Sequence, residues 1–306
     1  DNYWDNSAVK LTAMEWLISD SQTTRLAMFE NKQVDMMVEP AVVEHDRLSQ
    51  KGLLTISPYL GAYYFVFNTT AAPFDNVNIR KALTMAINRE MLVKNVIKGS
   101  KQPAYAWIPP GLINTVTGRD FREEGGNFVT EDIAEAKKLM AMAGYPDGKG
   151  LPPITLLFNT SEMNKAVAEA VQEMWKQNLG ITVQLTNQEA KVFYATRTQG
   201  DFQIARASWI ADYADPMTFM DVFKDPQNDA KYKNPAYNDN VVKAQSTIDP
   251  AVRMKAMHDA EKILFDDAVI IPVYYTTQPY VVNPKLKGYF WSVLGVADFK
   301  TAFIEK

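Results

Sequence analysis

The stretch Arg206-Ala207-Ser208-Trp209-Ile210-Ala211-Asp212-Tyr213-Ala214-Asp215-Pro216 gathers the side chains with the most chemical potential in the chain. Arg206 interrupts an otherwise apolar strand pattern, and Asp212 and Asp215 follow Trp209, so each ionised group needs a partner or a ligand. The residues alone leave two readings open. In one, Arg206 pairs with Asp212 inside the fold and Trp209 fills the core; in the other, the charges face a ligand beside an aromatic wall. A third use, with Asp212 and Asp215 as the acid and base of a hydrolase, lacks a nucleophile and base to accompany it. The only two histidines, His45 and His258, are far apart and belong to no HExxH or His-x-His pattern, which leaves metal and triad chemistry unsupported. Gly144 to Gly150 has the look of a phosphate loop, but Gly150 follows Lys149 where Ser or Thr would be required, and it reads as a turn. Neither GxGxxG nor GxSxG occurs, and no cofactor or metal is expected.

The chain has 306 residues, 47% of them hydrophobic and 22% charged, with 14 Gly and 16 Pro. This is a globular composition with room for a large core, and it excludes collagen, coiled coil and disorder. The 32 basic against 36 acidic residues give a net charge of −4, so no basic field exists to gather phosphates and nucleic acid is not an expected partner. Cysteine is absent, which excludes disulfides and thiolate chemistry and suits an oxidising compartment without proving one. The longest apolar stretch, around Tyr63 to Phe67, falls far short of the ~18 residues that span a bilayer. Asp1 opens the chain with no initiator Met, basic region or apolar region, and removal of something upstream is expected.

The elements that must position these residues alternate between strand and helix. Val9, Leu11 and Ala13 alternate as a strand that continues to Trp16-Leu17-Ile18. Asp20 or Ser21 then caps a helix carrying Leu26 and Phe29. Val34 to Val38 predicts a strand, Val42 to Leu48 a helix, and Leu53 to Ile56 and Ala62 to Phe67 two further strands. Asn76 and Asn88 cap a helical pair that stops at Gly99, and residues 101 to 129 read as a long irregular loop holding Trp107 and Ile108. Helix Glu131 to Ala143, strand Ile154 to Phe158, a helix opened by Ser161-Glu162, strand Ile181 to Leu185, helix Lys191 to Arg197 and strand Phe202 to Trp209 follow. A long helix from Asp249-Pro250 and strands Ile270 to Tyr275 and Tyr280 to Val282 complete an α/β pattern.

With Asn187-Gln188-Glu189 before it, Trp209-Ile210-Ala211-Asp212-Tyr213-Ala214-Asp215-Pro216 resembles the solute-binding proteins of family 5 that serve oligopeptide ABC importers. Asn2-Tyr3-Trp4-Asp5, Pro73-Phe74-Asp75-Asn76-Val77 with Ile79-Arg80-Lys81-Ala82-Leu83, and Pro272-Val273-Tyr274-Tyr275 resemble further landmarks of that family in the same order. The resemblance implies a two-lobed periplasmic-binding-protein-like α/β fold of the large peptide-binding type, here lacking its N-terminal part. Residues 1–66 and 277–306 would form an incomplete first lobe, and residues 67–276 the second. It also implies that Asp212 receives a peptide's α-ammonium, that Arg206 and Arg197 meet its C-terminal carboxylate directly or through water, and that Trp209 and Tyr213 belong to the site. Where oligopeptide-binding relatives often carry Trp after Asn-Gln-Glu, this chain has Ala190, so one pocket wall is missing. Trp107 either supplies a second wall or plugs the core.

The function implied is that of an extracytoplasmic receptor, periplasmic or lipid-anchored at the cell surface, which holds short peptides between two lobes and presents them to a membrane permease. Its expected partners are those peptides, the permease and the missing N-terminal half of the same protein. The same scaffold serving another solute, such as haem, nickel or a signalling peptide, is the alternative. A free α-amino group on the ligand separates the two.

Overall fold

The computed structural model describes residues 3–19, 21–226 and 228–306. Residues 9–18 do not form the strand that their alternation predicts; Trp16 is 68% and Ile18 96% exposed. Alternation assigns side chains to faces but supplies no neighbour for the backbone. Helix α1 (Gln22–Glu30) begins where the Ser21 hydroxyl accepts the Thr24 N–H at 3.2 Å; the other expected cap, Asp20, lies outside the described residues. Strand β1 (Met36–Val38), a 3₁₀ turn at Val42–Glu44 and helix α2 (His45–Gln50) follow. Strand β2 (Leu54–Phe67) is one element where two are expected. Pro58 stays within it because proline's fixed φ suits an extended chain.

Asn76 caps helix α3 (Val77–Met85), and Asn88 caps helix α4 (Arg89–Met91), which widens into a π-helical turn at Leu92–Ile97. The expected irregular loop contains a short strand β3 (Gln102–Pro103) and helix α5 (Phe121–Gly125), whose cap is Asp120. Next come α6 (Ile133–Met142), β4 (Ile154–Asn159), α7 (Glu162–Leu179), β5 (Val183–Gln188), α8 (Ala190–Gln199) and β6 (Ile204–Ile210). After β6 stand α9 (Met217–Met220), α10 (Pro235–Ser246), α11 (Pro250–Asp266) and β7 (Ile270–Val282). Helix α10 is absent from the sequence reading, because Asn234-Pro235 and Asn238-Asp239-Asn240 have the composition of a loop. Two small two-stranded antiparallel sheets close the chain, Phe290–Trp291 with Ala297–Asp298 nested between the strands of Leu286–Lys287 with Phe303–Ile304.

The chain divides into two units, residues 1–60 with 276–306 and residues 61–275. The first crossing falls within β2 after Leu60, six residues before the expected boundary, and the second within β7 after Tyr275. In the smaller unit β1 pairs antiparallel with the end of β7, from Met36 opposite Val282 to Val38 opposite Tyr280. Leu26, Phe29, Met37, Leu48 and Val281 form its core.

In the larger unit β5, β4 and β6 run parallel, and β2 joins β6 antiparallel from Gly61 opposite Ile210 to Phe67 opposite Ile204. Strand β7 lies beside β2. One face of this sheet carries Tyr63, Phe65 and Phe67 and packs with Leu83, Val167, Val171 and Trp175 of α3 and α7. The other carries Tyr64 and Val66 and meets Trp107, Phe219 and Phe223. Because side chains alternate along a strand and residues directly opposite share a face, Trp209 stands with Tyr64, while Arg206 stands with Phe65 on the reverse side.

Candidate functional site

A cavity of about 350 Å³ opens on the Tyr64 face of the larger unit, lined by Tyr64, Val66, Trp209, Asp212, Tyr213, Thr218, Asp221, Val222, Phe223, Asn228 and Asp229. Its floor is β2 and β6, and its rim is the turn that follows β6 into α9. Thr218 organises that turn: its buried hydroxyl accepts the Trp209 Nε1–H at 3.3 Å and the Asp212 backbone N–H at 3.2 Å. Asp215 accepts the Met217 N–H at 2.8 Å and is held by both Nη atoms of Arg253 at 2.8 Å. With these bonds fixing the backbone on either side, Asp212 and Tyr213 project at the rim, both exposed. The Asp212 carboxylate has no ion-pair or hydrogen-bond partner among the described residues, whereas Asp215 is committed to Arg253. Burial, with help from Asp221 and Asp215, raises the Tyr213 phenol above its ordinary value.

The structure brings Asp212, Trp209 and Tyr213 together and separates the other expected residues from them. Arg206 does not pair with Asp212. Its guanidinium lies over the Tyr63 ring at 5.0 Å, donates to Ser208 Oγ at 3.0 Å and to Asn159 Oδ1 at 3.4 Å, and leaves its Nε buried without a hydrogen bond. No carboxylate pairs with it among the described residues. Arg197, on α8, is taken by Asp229, with Nε 2.7 Å from Oδ2, and packs on Phe193 and Tyr194. The expectation of Trp107 as a pocket wall is corrected: it is 0% exposed and donates its Nε1–H to the Phe219 carbonyl at 2.8 Å. It sits edge-on behind Tyr64 at 4.6 Å, so it buttresses the lining without reaching the cavity.

Sequence reasoning passes over Tyr64, Asp221 and Asp229 as lining residues, since they stand far from the 206–216 segment or after its end. It also misses a buried ion pair that fixes the long loop. Glu261 of α11 is 0% exposed, and its Oε1 accepts the N–H groups of Trp107 and Ile108, each at 3.0 Å, and Arg122 Nη1 at 2.5 Å. Burial raises its carboxyl above the ordinary carboxylate value, and Arg122 and the two N–H groups oppose that rise. The signal was present: Glu261 follows Ala260 and precedes Ile263 and Leu264 on the apolar side of the helix, where an acid demands a partner.

In the smaller unit a second cavity, of about 460 Å³, is lined by Trp16, Leu17, Met28, Met36, Trp291, Phe299 and their neighbours. Its walls are mainly apolar. No group of three or more His, Cys, Asp or Glu among the described residues is placed to hold a metal ion, and no helix among them is long and apolar enough to cross a membrane.

Residues 1–231 match the family described as bacterial extracellular solute-binding proteins, family 5 Middle. The chain is 35% identical over 305 residues to the dipeptide-binding protein DppE of Bacillus subtilis (strain 168), covering 99% of this chain and 56% of that protein. It is 34% identical over 316 residues to the oligopeptide-binding protein OppA of the same organism, covering 100% of this chain and 57% of that one. Thus it spans little more than half the length of these relatives. The solved structure of MppA, a periplasmic murein tripeptide binding protein in its unliganded open form, superposes with a TM-score of 0.83 at 31% identity over 99% of this chain and 59% of that chain.

Proposed function

Because the chain belongs to the bacterial extracellular solute-binding proteins of family 5, we propose that it forms part of an extracytoplasmic receptor that binds short peptides by their main chain and termini and passes them to the permease of an ABC importer. The observation that carries this reading is the Asp212 carboxylate, exposed and unpaired beside Trp209 at the rim of the cavity. A carboxylate only accepts hydrogen bonds and an α-ammonium only donates them, so the two form a charge-assisted pair that no internal residue pre-empts. Trp209 and Tyr213 offer ring faces to the first side chain of the peptide. The similarity to dipeptide-, oligopeptide- and murein tripeptide-binding proteins supports the same ligand class.

Every peptide supplies the same N–H and C=O groups, so recognition through the main chain tolerates varied side chains, and water fills what they leave. Arg206 pairs with no carboxylate among the described residues but lies on the face of the sheet opposite the cavity, so a peptide held at Asp212 reaches it with its C-terminal carboxylate only by passing the end of β6 and displacing the bonds to Asn159 and Ser208. Arg197 meets that carboxylate only by exchanging Asp229 for the ligand. Calorimetry on the full-length gene product with trialanine and its N-acetylated form tests the Asp212 pairing. Acetylation removes the ammonium, and where the bound peptide covers Asp212 from solvent, loss of one member of the enclosed pair weakens binding by about a hundredfold or more. Equal affinities for the two peptides would sink the assignment.

A further inference from the structure

The cavity beside Asp212 holds more acceptors than one ammonium group uses. We infer that it also accepts a second cation, the side chain of a lysine or arginine at the peptide's first position, with Asp221 as counter-ion and the Tyr64 hydroxyl as a further acceptor. This rests on the reading in which Asp212 takes the α-ammonium. Asp221 lines the same cavity, and its Oδ1 accepts only the neutral Gln245 amide at 2.7 Å. No Lys or Arg forms an ion pair with it among the described residues. Burial raises its carboxyl above the ordinary value against the opposing pull of Lys224, so its ionised form gains from a cation brought by the ligand. Asp229 differs, because Arg197 already neutralises it.

Tyr64 is the independent observation. It is 5% exposed and lines the cavity, and its hydroxyl bonds to no other described residue yet is not among the side-chain atoms sealed from solvent, so it opens into the cavity as a free acceptor. Trp107 at 4.6 Å and Phe223 at 6.1 Å meet its ring edge-on, which fixes it in place. Trp209 and Phe223 supply apolar walls for the methylenes of a long basic side chain and ring faces for its charged end. A volume of about 350 Å³ lies at the low end for ligand pockets, which suits one side chain better than a whole ligand.

Calorimetry on the full-length gene product should compare Lys-Ala-Ala with norleucine-Ala-Ala, which keeps the methylenes and lacks the charge. The lysine peptide is expected to bind about tenfold tighter or more. That ratio should collapse toward one in Asp221→Asn and shrink in Tyr64→Phe. A ratio of one or less in the unaltered protein, with trialanine still bound in preference to its acetylated form, overturns this inference and leaves the Asp212 reading standing. Indifference of all three peptides to N-acetylation overturns both. A lysine preference that survives in both variants removes Asp221 and Tyr64 from the assignment.

Discussion

Glu261 and Asp212 are acids of the same unit with opposite surroundings. Glu261 is enclosed, and one of its oxygens accepts from two backbone N–H groups and an arginine that come from the long loop between β3 and α6. Asp212 is exposed at the end of β6 and accepts from no other described residue, although its own N–H is anchored on Thr218. The first arrangement closes on itself: the charge is balanced by residues that the fold must bring together, so its effect is on stability. In the second the backbone is held and the charge is left open, so its effect falls on whatever enters from outside. Internal balance, more than residue type, separates a charge that builds the fold from one left available to a ligand.

Breaking the closed member gives the largest effect. Glu261→Ala leaves Arg122 buried without its counter-ion and strips the acceptor from the Trp107 and Ile108 N–H groups, and it should lower unfolding free energy by about 3 to 5 kcal/mol in urea titrations. Glu261→Gln, which keeps a carbonyl oxygen for the two N–H groups, should cost less. If both variants unfold with the parent's midpoint and slope, the loop is not held by this residue.

The open member should invert that pattern. Asp212→Asn is expected to change unfolding free energy by less than about 0.5 kcal/mol, as exposed substitutions do, while weakening trialanine binding by about a hundredfold. Paired denaturation and calorimetry check both numbers, and a large stability loss with intact binding would reverse the comparison.

A smaller effect sharpens the closed side through pH. His258 stacks on Phe121 at 3.8 Å and keeps its Nδ1 buried without a partner. Burial first, then Arg122, lower its pKa below the usual 6.5, against the opposing charges of Glu124 and Asp259. A histidine with a lower pKa when folded has its full contribution above the unfolded value and loses it as pH falls from about 6.5 through the folded value. The stability difference between the unaltered protein and His258→Leu should therefore shift against the unaltered protein from pH 7.5 to pH 5. A difference that stays constant over that range would mean that the ring does not feel its burial.

Most elements of the larger unit were legible because their signals are local. Ser161 before Glu162, Asp249 before Pro250 and Gly180 after Leu179 start and stop their helices where side-chain caps and a left-handed glycine require. Strand boundaries across β2 and β7 were less legible, since Pro58 and Pro279 have the composition of breaks while extended backbone accommodates them. In the site, Asp212, Trp209 and Tyr213 sit within five residues of one another and could be read together. Tyr64 and Asp229 come from distant parts of the chain, and only strand pairing and loop closure bring them to the same cavity. Trp107 illustrates the remaining limit: its type fits a wall or a plug equally well, and the decision lies with Phe219, whose carbonyl takes the indole N–H.

The alternation along β6 constrains how this protein can change over evolutionary time. Ala205, Ala207 and Trp209 line up behind the cavity while Arg206 and Ser208 face the other way, so point substitutions can retune one face and leave the other untouched. Insertion or deletion of a single residue inside the strand would exchange the two sets, turning a guanidinium toward the aromatic cavity and an indole toward the packed helices. Lineages of this protein are thus free to vary the composition of β6 but not its length.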